Sequence, residues 1–156
     1  MELEIWWIGK TKDIYLQDGI SVYQKKLAHY ASTTFREFKE AKGLKSIDSI
    51  RQFEEPALLK ALQTPGILPV LLDEIGTQYT SGDFATWLQK QSITHNRKVC
   101  FIIGSAYGFS STIRKLVPNK LSLSKMTYTH QMARLIFLEQ LFRAFTIINK
   151  IPYHNE

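Results

Sequence analysis

The chain has 156 residues, 44% of them apolar and 22% charged, with a formal net charge of +6. That length suits one domain with a substantial core, and the composition is that of an ordinary folded protein. No apolar run approaches the roughly 20 residues needed to cross a bilayer, and Glu2 and Glu4 stand where a secretory leader would carry basic residues, so a cytoplasmic protein is expected.

Taken in chain order, strand and helix patterns alternate. Leu3 to Ile8 is an aromatic-rich apolar run closed by Gly9, a strand. Asp13 to His29 carries Ile14, Ile20, Val22, Tyr23 and Leu27 at helical spacing. A second strand follows over Thr33 to Phe38, then a polar loop from Lys39 to Ser46. Ile47 to Gln63 is predicted helical, with Pro56 either kinking the helix or starting a second one. Ile67 to Leu72 is continuously apolar and closed by Asp73, as in a strand buried on both faces. A helix capped by Ser81 or Asp83 runs to Gln91. Val99 to Ile103 is another buried strand, and it holds the single cysteine, Cys100, expected as a small buried hydrophobe. A short helix opening at Ser110 or Ser111 ends before Pro118. Leu121 to Leu123 is a brief strand, and a long helix spans Thr129 to Asn149. This alternation predicts an α/β fold with a mostly parallel sheet and helices on both faces, in one domain over residues 1–156.

The long final helix is apolar on more than one face, through Met132, Leu135, Ile136, Phe137, Leu138, Leu141, Phe142, Phe145, Ile147 and Ile148. Such a helix is covered on more than one side. The second cover is either another copy of the chain or its own sheet and loops. Charge is uneven as well. Residues 1–110 hold 13 Lys+Arg against 12 Asp+Glu, whereas residues 111–156 hold 7 against 2. The basic end is either a solvated face or a surface for a polyanion.

Three loops follow predicted buried strands: Leu72 to Gly76, Ile103 to Gly108, and Leu123 to Tyr128. Ligands of open α/β folds bind beyond the carboxyl ends of the strands. The middle loop has Gly104 and Gly108 ahead of a helix, which lets a ligand approach backbone amides. A nicotinamide dehydrogenase is disfavoured, because the third glycine and the ribose-binding carboxylate are missing. There is no Gly-x-Ser-x-Gly elbow for hydrolysis, and His29, His95, His130 and His154 form no metal-ligand pattern with cysteine or acids.

The segments Ile103-Gly104-Ser105-Ala106-Tyr107-Gly108-Phe109-Ser110, Leu121 to Arg134, Glu139 to Phe145 and Pro152-Tyr153-His154 closely resemble those of the large-subunit rRNA methyltransferase H family, as do Gly9-Lys10 and Leu72-Asp73. The resemblance spans the chain. It implies a SPOUT-type fold with a C-terminal trefoil knot, a homodimer, and S-adenosylmethionine-dependent methylation of N3 of a pseudouridine in 23S ribosomal RNA, acting on a ribosome or large subunit. It places the cofactor against Leu72, Gly104, Leu123, Ser124, Lys125, Met126, Thr127 and Tyr128, with no metal. An imide target needs a base or a stabiliser of its anion. His130, after the third loop, is either that base or a helix-start hydrogen-bonding group. Arg134, one turn on, is the candidate contact to the anion or a phosphate, and Tyr153 and His154 of the tail are the candidates to close on the target base. Arg143 reads instead as an i, i+4 partner of Glu139. One departure stands out: Ser105 replaces a second glycine of the family, a constraint if that position needs positive φ. A non-catalytic ribosome-binding or assembly factor on the same fold is the alternative reading.

Overall fold

A computed structural model describes residues 1–94 and 97–155; His95, Asn96 and Glu156 lie outside the described residues. Five strands and five helices alternate: β1 (Glu2–Ile8), α1 (Ile14–Leu27), β2 (Ser32–Phe38), α2 (Ile47–Leu62), β3 (Ile67–Gln78), α3 (Ser81–Thr94), β4 (Lys98–Ile103), α4 (Ser111–Leu116), β5 (Lys120–Ser122) and α5 (His130–Ile148). The sheet runs β2-β1-β4-β3-β5, and every pairing in it is parallel.

Strand alternation explains the two-sided core. Leu3, Ile5 and Trp7 of β1, with Val99, Phe101 and Ile103 of β4, face α1, α3 and α5. Trp6, Ile8, Cys100 and Ile102 face α2 and α4 on the other side. Burial of the Cys100 thiol pushes its pKa up, so it packs as a hydrophobe. Parallel strands covered on both faces need such continuous apolar runs.

Several predicted ends are sharpened. Thr80 caps α3 by accepting from Asp83 N at 3.1 Å, in place of the expected Ser81 or Asp83. Ser110 caps α4, through Ile113 N. Pro56 sits inside one continuous α2. The strand predicted to stop at Leu72 resumes, because β3 leaves the β5 ladder after Leu72 and rejoins it at Thr77, with Leu121 facing both residues. Gly76 makes that return possible. A Cβ there would lie 2.6–2.8 Å from backbone atoms of Lys120 and Leu121, so no larger residue fits without moving β5.

Helix α5 is covered largely by its own chain. It lies between α1 and α3, with Phe137, Leu138, Leu141, Phe142 and Phe145 buried against the sheet. Helix α1 runs beside it in the same direction. Lys12 N donates to Gln131 Oε1, Gly19 lies directly under Leu135, and Tyr23 and Tyr30 meet Phe142. Met132, Leu135, Ile136, Ile147 and Ile148 stay half-buried, and on neighbouring α1 Ile14, Tyr15 and Val22 are exposed. No helix among the described residues is long and apolar enough to cross a membrane.

Candidate functional site

The strand registers place Glu37, Trp7, Ile103, Leu72 and Leu121 in one row across the sheet, one residue short of the ends of β1 and β2. The loops that follow therefore leave from the same end. Three of them close around a cleft of about 460 Å³ between the ends of β3, β4 and β5. Leu72, Gly104, Leu123, Ser124, Met126, Thr127 and Tyr128 all line it, as does His130. Lys125, expected with them, is exposed and off the cleft wall. A second hollow of about 370 Å³ lies between β3, α3 and β5 and contains none of the expected residues.

Each loop is held by groups that sequence spacing does not reveal. In the first, the Asp73 carboxylate accepts from Arg114 Nε at 2.7 Å and Nη2 at 3.0 Å, and also from Ile75 N. Helix α2 grips the second. Arg51 Nη2 donates to the carbonyls of Tyr107 and Phe109, while Glu55 accepts from Ser110 N and Oγ. In the third, Ser124 Oγ accepts from Met126 N and its carbonyl accepts from Ser122 Oγ, setting a local turn. Asp73 stood in a quoted motif. Arg51, Glu55 and Arg114 gave no signal, because their partners lie 41 to 58 residues away.

The glycine loop tolerates its serine. The left-handed residue is Gly108, at φ 64°, and its N–H donates to the Ser105 carbonyl at 3.0 Å. Ser105 has no positive φ, so the feared backbone restriction does not arise. Its Oγ is buried without a hydrogen-bond partner beside the cleft. A Cβ at Gly104 would come within 3.3–3.4 Å of Phe109 and Gly108, a tight but not forbidden approach.

His130 opens α5 just after its cap, Thr129, and its Nε2 is buried and unpaired. Burial, and then the Arg134 cation, hold its imidazole below the ordinary value of 6.5, with Glu40 opposing and Lys12 adding a little. The ring is therefore neutral at physiological pH, with a nitrogen able to accept a proton.

Arg134 does not line the cleft, and its side chain is fully buried. Instead Nη2 donates to the Ile8 carbonyl at 2.7 Å and Nη1 to Thr11 Oγ1 at 2.9 Å, over the Trp7 ring. Burial pushes its pKa down to about 10, with Glu37 and Glu40 offsetting part of that.

The tail folds back onto α5 far from the cleft. Tyr153 stacks edge-on against Phe142 and donates to Glu139, which also pairs with Arg143 as its spacing predicts. Hydrogen bonding with Tyr23, burial and Glu139 push the Tyr153 phenol up. His154 Nδ1 lies 3.2 Å from Arg143 Nη1. Glu139 is nine residues beyond His130, about 13 Å along the helix at 1.5 Å per residue. Neither Tyr153 nor His154 lines this chain's own cleft.

The cleft suits an adenine-bearing sulfonium cofactor. Leu72, Leu121, Leu123 and Met126 offer apolar walls, Gly104 brings backbone close, and two buried polar atoms, Ser105 Oγ and His130 Nε2, lack partners.

Comparison with known proteins follows the same line. The chain matches the family described as "Predicted SPOUT methyltransferase" over residues 1–154. It is 42% identical to "Ribosomal RNA large subunit methyltransferase H" of Parabacteroides distasonis over 158 aligned positions, covering 100% of both chains. To the protein of the same name from Cytophaga hutchinsonii it is 43% identical, over 99% of this chain and 100% of the other. Among solved structures, a probable methylase family protein from Haemophilus influenzae superposes with a TM-score of 0.55 at 10% identity, over 99% of this chain and 70% of its own, a likeness of fold.

Proposed function

The chain belongs to the SPOUT methyltransferase family, and from that premise we propose that it transfers the methyl group of S-adenosylmethionine to N3 of a pseudouridine in large-subunit ribosomal RNA. The observation that carries this reading is the convergence of three strand-end loops on one cleft that also holds a neutral His130. The full-length relatives named for the large ribosomal subunit support the RNA as substrate.

Bound S-adenosylmethionine supplies a methyl that is already activated, so the protein's task is alignment and proton removal. Leu72, Gly104 and the Leu123–Tyr128 loop would hold it. The N3 imide keeps its proton at neutral pH, and His130 would take that proton on Nε2 as N3 gains the methyl. Buried Arg134 acts as a positioning residue. It ties the start of α5 to the end of β1, and its charge adds to the burial that holds the neighbouring imidazole neutral.

The tail fits this scheme in a homodimer. Tyr153 and His154 stand away from their own cleft, so they would complete the cleft of a second copy, docked on the half-exposed face of α5 and the apolar residues of α1. The whole chain acts as one domain, and the knot of the SPOUT fold would form where β3 and β5 carry the first and third loops.

Isothermal titration with S-adenosylmethionine, followed by mass mapping of large-subunit RNA from cells with and without the protein, tests the reading. Cofactor binding together with one methyl lost at a single pseudouridine is the expected result. Binding of ribosomal particles without cofactor affinity or methyl loss would replace the enzyme with an assembly factor.

A further inference from the structure

Folding thins the basic excess of residues 111–156 as a surface, leaving Lys115, Lys125 and Lys150 exposed. Of its seven cations, Arg134 is fully buried, Arg114 is committed to Asp73 and Arg143 to Glu139. Lys120 Nζ donates to the carbonyls of Val117 and Pro118.

A different group of lysines gathers instead at the strand ends. The loops after β1 and β2 start from paired residues, Ile8 and Phe38, and Gly9 N donates to the Phe38 carbonyl. Gly9 has φ 84° and no room for a Cβ against Glu40, so the two loops lie directly on one another. They carry Lys10, Lys12, Lys39, Lys42 and Lys45, all exposed. Of these five, only Lys12 has an ion pair among the described residues, to Glu40. With Asp13 and Glu40 as the acids of residues 10–13 and 39–46, five lysines leave a local net of +3.

This group borders the cleft on two sides. Lys12 N donates to Gln131, next to His130 in the cleft wall. The Lys39–Ser46 loop runs into Ile47, itself a lining residue. At the same mouth Tyr107 and Tyr128 are 49% and 40% exposed. Unpaired lysines beside exposed aromatic rings are the combination that holds single-stranded nucleic acid, with phosphates on the cations and bases on the rings.

We propose that Lys10, Lys12, Lys39, Lys42 and Lys45 form the docking surface for the phosphate backbone of the RNA strand whose base enters the cleft. The inference rests on the methyltransferase reading for its substrate, and it assigns the contact to the first third of the chain rather than to the basic last third.

The test uses deproteinised large-subunit ribosomal RNA as probe and two triple variants with the same charge change. Lys39→Gln/Lys42→Gln/Lys45→Gln removes part of the surface. Lys25→Gln/Lys115→Gln/Lys150→Gln removes three exposed lysines elsewhere. Each lost phosphate contact lowers the slope of log affinity against log salt by roughly 0.7–0.9, so the surface variant is expected to lose about two units of slope and more than tenfold in affinity near 0.1 M salt. The control variant keeps both, and S-adenosylmethionine titration and melting temperature stay at the wild-type value in all three proteins. Equal losses in both variants would show that only total charge matters and overturn the surface. Wild-type binding by the surface variant would overturn it as well. If the wild type binds RNA through these lysines yet transfers no methyl, the docking surface stands and the methyltransferase reading falls.

Discussion

Asp73 and Arg114 join β3, at the point where it leaves the β5 ladder, to α4 by a forked pair, Nε and Nη2 of one arginine on the two oxygens of one carboxylate. The carboxylate is nearly sealed from solvent while the guanidinium is one-third exposed. Replacing Arg114 with Met strands a buried carboxylate and is expected to lower stability by about 1–3 kcal/mol, discounted for the exposed partner. Asp73→Asn/Arg114→Met together is expected to cost less than the sum of the two single changes. Urea unfolding of all four proteins measures the coupling, and simple additivity would show that the pair contributes nothing of its own.

His130 provides the pH dependence. Its folded pKa is depressed, so below about pH 6.5 the unfolded chain takes up a proton that the folded chain resists. The group therefore costs no stability above pH 6.5, and costs progressively more as pH falls beneath it. Methyl transfer is expected to be flat through neutrality, with an acid limb below 6.5. His130→Gln removes the limb along with most of the rate. Arg134→Met removes the neighbouring cation and moves the limb upward. A limb that ignores both substitutions assigns the proton to another group.

Two glycines separate fold from ligand. Gly76→Ala drives a Cβ into the β5 backbone and is expected to destabilise by about 1–3 kcal/mol, an overpacking cost. Gly104→Val is milder for the fold, yet its branches enter the cleft, so cofactor affinity falls at least tenfold while melting changes little. Gly82 has open space around it, and Gly82→Ala is expected to stabilise α3 by about 0.4–1 kcal/mol. Thermal melts beside cofactor titrations distinguish the three.

The tail is tested by mixing. Deleting residues 152–156 removes the contacts of Tyr153 with Phe142 and Glu139, a modest loss of about 1 kcal/mol. Light scattering is expected to give twice the 18.1 kDa chain mass for both the full and the shortened protein. In the proposed dimer, the truncation and His130→Gln are each expected to be inactive through loss of one half of a shared site. Unfolding and refolding them together is expected to restore up to a quarter of wild-type activity, from mixed dimers with one intact site. No recovery would place the tail in its own chain's site or in a packing role.

The fold was legible because its evidence is local. Val99 to Ile103 is apolar at every position, and a strand so built has to be covered twice. The ten elements follow from such runs and from caps such as Thr129. The return of β3 was hidden, since nothing in Asp73-Glu74-Ile75-Gly76 announces that Leu121 faces both Leu72 and Thr77. Seven of eight expected cofactor residues line one cleft, because strand ends in a parallel sheet share an edge. The burial of Arg134 was hidden, because a charged residue on a helix reads as exposed until its partners, Ile8 and Thr11, are known. Charge counted along the chain misled in the same way, by ignoring where each cation ends up.

The all-parallel ladder also determines how quickly the molecule can form. It has no hairpin, and its central pairing joins Leu3 to Val99. Little of the sheet can assemble until β4 is available, and the closure of long loops comes before any pairing stabilises them. Refolding is therefore expected to be slow for a chain of this size. During synthesis β1 and β2 wait as an open two-stranded edge until Lys98–Ile103 has cleared the ribosome tunnel, and that interval is when the nascent chain is most exposed to aggregation.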